Sequence, residues 1–348
     1  MRPAWSIVIF TTLAGLGQGF FLALLGLETF AGDVWPATLL APAAWAVLVL
    51  LAAGLVASVF HLGHPERAWR AASQWRTSWL SREVILLPAL MAAVGVHALA
   101  LTLLAQGAAP PGIAFVIGAS AGVAAALCMA LWWCTGMIYA CLRMLREWAT
   151  PLTPLAFAAL GLASGLGLAA AWFATALDRF ALQVARAVPA VPHALAHVPV
   201  LEAARASVGG LCAAALAATL AAIVVKGAWW RRRESLQPAS TLQSALAIAH
   251  PRIRQMSMGM TGGSFNTREF FHGAGRWRMK LLPASMVVFG AALPLAAFAG
   301  AAMTSLPAGT AWLLAAVAVL QTVGVLCERW LFFAWARHPQ NLYYQKVG

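Results

Sequence analysis

The chain has 348 residues, 62% hydrophobic and 9% charged, with 23 Lys+Arg against 10 Asp+Glu, a formal net charge of +13 and a mean hydropathy of +0.80. Repeated uncharged stretches of about twenty residues or more exclude a soluble fold and point to an all-α polytopic membrane protein. The five cysteines include no C-x-x-C pair, so no iron–sulfur cluster is expected in this chain.

Apolar windows bounded by charge, proline or glycine predict a bundle of eight transmembrane helices, near residues 4–28, 38–61, 83–105, 112–142, 153–177, 207–229, 281–303 and 309–335. The first, from Trp5 to Leu27, is longer than a signal-peptide apolar region. Glu28 and Asp33 follow it where a small-residue cleavage site would be expected, so it reads as a retained span. Alanine and glycine recur in every span, as close helix packing in lipid requires. The chain therefore reads as one integral membrane domain over 1–348 with three notable connections.

The 62–82 connection is short and rich in charge and tryptophan. The 178–206 connection, with Pro189, Pro192, Pro199 and a helix-like 200–207, reads as an external excursion lying against the bundle. The 230–280 connection carries the turn-rich run Met256–Phe265 and then Asn266–His272. Its interleaved Phe, Arg and Gly favour a partner-docking surface.

Charge divides sharply between the two faces these spans define. Arg2; Arg67, Arg70, Arg76 and Arg82; Arg143 and Arg146; the cations from Lys226 to Lys280; and Arg329, Arg337 and Lys346 make up 20 of the 23 Lys+Arg on one side. The other side holds Arg179, Arg186 and Arg205, offset by Glu28, Asp33, Asp178 and Glu202. By the positive-inside rule the basic face and both termini are expected in the cytoplasm. Such a face suits anionic lipid or an acidic protein, and no nucleic acid partner is expected.

Polar chemistry concentrates between His61 and Glu83, a stretch that holds two histidines, two glutamates, four arginines and three tryptophans. A headgroup-level pocket that moves protons against a partly apolar ligand fits that composition, and a quinone fits that ligand. It needs an apolar slot, hydrogen-bond donors to its oxygens and a proton route to water. His61, at the end of the second span, is the expected partner of one quinone oxygen. Glu83, at the start of the third, is the expected proton relay or orienter of the imidazole. Gln18, His64, Arg67, Trp69, Arg70 and Arg82 complete the expected quinone site, with Gln18 having interhelical glue as its plainer reading.

Other chemistry is less favoured. His61 and His64 lie three apart, but Pro65 ends the helix and no third or fourth ligand follows at a typical spacing, so no metal site is expected. Only His97 of the eight histidines lies well inside a span, so no haem is expected and His97 reads as an interhelical hydrogen-bonding residue. Cys134 and Cys141, seven apart, read as packing residues. In the last span Gln321, Glu328 and Arg329 are candidates for a pocket wall or an ion pair, with Glu328 and Arg329 pairing locally.

The run His61-Leu-Gly-x-Pro-x-Arg-Ala68 after the second span, with the later Ser81-x-Glu83-Val, resembles the DmsC family, the membrane anchor subunits of dimethyl sulfoxide reductase-type molybdoenzymes. The resemblance spans the eight-helix layout. It implies a haem-free anchor in a bacterial cytoplasmic (inner) membrane that holds a molybdopterin catalytic subunit and an iron–sulfur electron-transfer subunit to the membrane and exchanges electrons with quinone, either ubiquinone or menaquinone. The family's quinone-site histidine corresponds to His61, and the glutamate after the loop to Glu83. The cytoplasmic basic face, the Met256–His272 run and the tail His338–Gln345 are most similar to the SoeC-type branch, which serves cytoplasmic sulfite-oxidising complexes. That branch implies electron flow from sulfite to quinone; the alternative is a quinol-oxidising dimethyl sulfoxide reductase anchor. From another class, a secondary transporter is the rival, although no repeat or paired broken helices are evident.

Overall fold

The computed structural model describes residues 3–60, 62–187, 198–237, 241–254, 256, 276–303 and 309–336. Side chains are described for all of these except 183–187, 198 and 276–279. His61 and the runs Met256–His272 (beyond Met256 itself) and His338–Gln345, all singled out in the sequence, lie outside the described residues.

Among the described residues, eight helices are long and apolar enough to cross a membrane. In chain order they are α1 (Trp5–Ala31), α2 (Ala37–Val59), α3 (Trp79–Ala105), α4 (Ile113–Ala140), α5 (Leu152–Ala187) and α6 (Val198–Ser235), then, after the short α7 (Leu242–Leu246), a composite seventh span and an eighth. The seventh joins α8 (Arg276–Val287) to α9 (Leu293–Met303) through a π-helical turn at Val288–Ala292; the eighth is α10 (Thr310–Ala334). No strand occurs among the described residues.

These segments become helices because lipid offers no partner to a backbone N–H or C=O, so each apolar run must satisfy its own. Their boundaries differ from the hydropathy windows where charged residues extend a helix beyond the apolar run. Helix α5 continues to Ala187 and α6 starts at Val198, so the connection expected over 178–206 is helical at both ends. At its other end α6 continues to Ser235. Lys226, placed by its charge at the start of a cytoplasmic loop, lies inside the helix and is only 7% exposed.

Consecutive helices from α1 to α6 pack side by side, and α1 and α5 also pack on each other and on α10. Close approach is permitted by glycine. A methyl on Gly161 would meet the carbonyl oxygen of Gly15 at 3.0 Å, and one on Gly165 would collide with the Gly19–Phe20 backbone. Gly15 and Gly19 on α1 thus face Gly161 and Gly165 on α5, two small-x-x-x-small stripes in direct backbone contact. Gly136 of α4 approaches Pro154 of α5 in the same way, as does Gly324 of α10 the π-turn residue Gly290. Large apolar side chains such as Val49, Phe115 and Val319 remain exposed on the outside, as a lipid-facing surface requires.

Candidate functional site

One end of the bundle gathers the ends of α2, α4, α6 and α10 and the start of α3. Cross-links define it: Arg146 Nη1 donates to the Gln237 carbonyl at 3.0 Å, Arg232 Nη2 donates to the Ala149 carbonyl at 3.2 Å, and Trp148 Nε1 donates to the Phe332 carbonyl at 3.1 Å. The 62–78 segment lies at this basic end. Pro65–Gln74 forms a 3-10 helix, opened by a proline whose missing N–H costs nothing at that position, and none of its residues is buried.

The candidate residues on this segment are surface groups. His64 Nδ1 lies 3.0 Å from Glu66, which also sits 3.7 Å from Arg67 Nε. Trp69 is 72% exposed, with the Arg70 guanidinium 5.5 Å from its ring centroid. Arg82, in the first turn of α3, turns back on the loop: Nε and Nη2 donate to the carbonyls of Trp75 and Arg76, each at 2.9 Å, and its guanidinium stacks 4.1 Å over the Trp79 ring. Arg82 thereby fastens the segment to α3. The Ser78 hydroxyl accepts the Ser81 N–H at 3.3 Å and caps the helix start.

Directly beneath, the chemistry changes. Glu83 is 6% exposed, and its carboxyl accepts a hydrogen bond from the Thr135 hydroxyl of α4. A carboxyl sunk below a basic surface at the end of a span is costly to bury without a partner or a role, and here its partner is the Thr135 hydroxyl. Gln18 does not join it. Gln18 lies on α1 beside Cys128, whose thiol is 3.9 Å from the Gln18 carbonyl, and Cys128 is two turns, about 10 Å, deeper along α4 than Thr135. Its side-chain oxygen is buried with no hydrogen-bond partner among the described residues, an orphaned acceptor that a hydroxyl-bearing ligand or water would satisfy.

The structure also contains an ionic cluster that cuts across the helices. Lys226 of α6 forms an ion pair with Glu328 of α10, whose other oxygen lies 3.4 Å from Arg329 Nη1. Glu328 and Arg329 are each 1% exposed. Aromatic faces surround the cations: Lys226 Nζ is 3.9 Å from the Trp229 ring centroid, and the Arg329 guanidinium 3.7 Å from that of Phe157. Arg329 Nη2 also donates to the Phe157 carbonyl at 3.4 Å. The local Glu328–Arg329 pair was legible in the sequence, while the third member was not. Its available signal was the apolar run Gly227-Ala-Trp-Trp230 that resumes after Lys226, which a true loop boundary would not show.

At the opposite end His97 is fully buried between helices, as its position in a span predicts. Nε2 lies 2.9 Å from Glu28 of α1, and Nδ1 lies 3.2 Å from the Ser120 hydroxyl of α4. Both ring nitrogens are engaged.

The family model for the DMSO reductase anchor subunit (DmsC) matches residues 1–227, the part that contains the whole 62–83 region and Lys226. The chain belongs to the DmsC family. It is also 40% identical, over 359 aligned positions covering all of both chains, to a sulfite dehydrogenase subunit of Allochromatium vinosum. It is therefore a membrane anchor subunit of a molybdoenzyme complex, with the substrate chemistry in partner subunits. Membership of a family of anchors takes the place of the transporter alternative. Among the described residues, no three His, Cys, Asp or Glu side chains come together as a metal site.

Proposed function

We propose that this subunit accepts electrons from an iron–sulfur partner on the cytoplasmic side and delivers them to membrane quinone, and that the electrons come from sulfite oxidised in a molybdopterin subunit. The observation that carries the quinone reading is Glu83, a carboxyl buried under the basic loop with a hydroxyl donor fixing it. The full-length similarity to a sulfite dehydrogenase subunit supports the choice of substrate.

The balance is simple. Sulfite and water give sulfate, two protons and two electrons; quinone takes two electrons and two protons to become quinol. The anchor must bring protons to a ring that sits in lipid. Glu83 holds one at the membrane surface, and the Thr135 hydroxyl keeps the carboxyl in place. His61, which follows α2 directly after Phe60, supplies the hydrogen bond to a quinone oxygen. His64, just before the 3-10 helix, and Arg67, Trp69 and Arg70 on it are exposed and form the rim of the site and the surface a partner covers. Arg82 positions that rim. Gln18, deeper in the bundle, would meet the ligand only along its path toward the centre of the membrane.

The test is sulfite-dependent reduction of a ubiquinone analogue by inverted membrane vesicles, whose cytoplasmic face is outward. Vesicles with the chain are expected to show the activity, and vesicles lacking it or carrying His61→Ala in an assembled complex are expected to lose it. Activity that does not depend on the chain sinks the proposal. The family's own description favours one second reading, a quinol-oxidising anchor for a dimethyl sulfoxide reductase-type partner; quinol-driven reduction of dimethyl sulfoxide without sulfite oxidation would select it.

A further inference from the structure

The ionic cluster closes one side of a cavity of about 170 Å³ between α5, α6, the π turn and α10. Its walls are mostly apolar, from Leu160, Ala163, Ala222, Met286 and Val325 among others. Its polar groups lie at two levels. Lys226, Glu328 and Trp230 stand toward the basic end; Thr219 and Gln321 stand two turns deeper, since Gln321 and Glu328 are seven residues apart on α10.

Those groups carry unused hydrogen-bonding capacity. Among the described residues the buried Trp230 indole N–H has no acceptor and the buried Gln321 side-chain oxygen no donor, although the Gln321 amide nitrogen donates to the Thr219 hydroxyl at 3.2 Å. Lys226 has three N–H donors and one carboxylate partner. The cavity thus offers donors at one level and an acceptor at the other. Its lips, Ile223 at 39% and Val287 at 48% exposure, lie on membrane-spanning helices and open sideways toward lipid. The irregular turn of the seventh span is part of the cavity wall: Gly290 and Ala291 of the π turn line it, with Gly290 packed against Gly324 of α10. Single π turns of this kind are frequent at functional sites.

Size and access select the ligand class. An apolar cavity of about 150 Å³ accommodates benzene, so this one has room for a single substituted six-membered ring. A ligand that arrives through the membrane, presents one ring, and carries both oxygens that accept hydrogen bonds and, when reduced, hydroxyls that donate them is a quinone. We propose that this cavity is a second quinone-binding site, separate from the one at Glu83, with Lys226 and Trp230 donating to a ring oxygen and Gln321 accepting from a quinol hydroxyl. It is a holding site on the lipid side of the bundle; electron transfer stays at the basic loop. The assignment rests on the reading that this subunit works with quinone.

The experiment is photolabelling of the complete complex in liposomes with a short-tailed azidoquinone, with adducts mapped by peptide mass spectrometry. Adducts are expected both in 62–83 and in the cavity segments 219–230 and 286–291. Unlabelled ubiquinone analogue should compete them away, and added phospholipid should not. Ile223→Trp, and independently Val287→Trp from the other lip, should lower cavity adducts at least fivefold and leave those in 62–83. Labelling confined to 62–83, cavity labelling indifferent to both lip variants, or competition by phospholipid would overturn the second site and leave the function standing. Labelling nowhere in the chain would overturn both.

Discussion

Removing the carboxylate from the Lys226–Glu328–Arg329 cluster should damage the protein far more than removing the lysine. The cluster carries two cations and one anion, all buried. At an effective dielectric near 20, opposite charges at the 3.4 Å separation of Glu328 and Arg329 attract by about 4–5 kcal/mol. Most of that offsets the desolvation of the charges. Glu328→Gln abolishes both attractions and leaves two cations facing each other, so the cost should be about 3–5 kcal/mol. Lys226→Met leaves a net-neutral Glu328–Arg329 pair and removes a buried ammonium; the relieved desolvation offsets the lost ion pair and the lost cation–π contact with Trp229 and holds the net cost to about 2 kcal/mol or less. Adding Lys226→Met to Glu328→Gln should therefore recover part of the loss. The assay is unfolding of the purified complex in mixed micelles on titration with denaturing detergent, followed by tryptophan fluorescence. Equal losses for the two single variants, or a double variant worse than Glu328→Gln alone, would refute the charge argument.

Two further substitutions test the packing and the loop. Gly165→Ala places a methyl against the Gly19–Phe20 backbone and should cost about 1–3 kcal/mol of overpacking, whereas Gly122→Ala, which meets nothing within 4 Å, should be neutral or slightly stabilising because alanine favours helix by about 1 kcal/mol. The yield of assembled complex measures both. Arg82→Ala frees the Trp75 and Arg76 carbonyls to water; membrane insertion should be unchanged, while limited proteolysis within 62–78 should quicken and the partner subunits should be retained less well on purification.

The eight spans were legible because hydropathy and the need to satisfy backbone groups in lipid act on contiguous sequence. Helix ends were less legible: the apolar run of α6 weakens at Lys226, but hydrogen bonding carries the helix to Ser235. Glu83 stood out as a carboxyl at the start of an apolar span, and His97 as a histidine well inside one. Partners from other helices did not stand out. Thr135 beneath Glu83, Lys226 opposite Glu328, and the cavity lined by α5, α6, the π turn and α10 all depend on how spans far apart in sequence are laid together. Gln18 shows the converse: polarity within a span marks it, yet its depth, two turns from the Glu83–Thr135 level, follows only from the packing of α1 on α4.

The most direct test of the account follows the partner's iron–sulfur clusters in the purified complex carrying Glu83→Gln. After reduction by sulfite, the clusters are mixed with a short-tailed ubiquinone and their reoxidation is followed by absorbance. The account predicts cluster reduction at the unsubstituted rate and reoxidation by quinone slowed by about a hundredfold or more, the order expected for loss of a positioned proton donor. Reoxidation at the unsubstituted rate would contradict the assignment of proton delivery to Glu83.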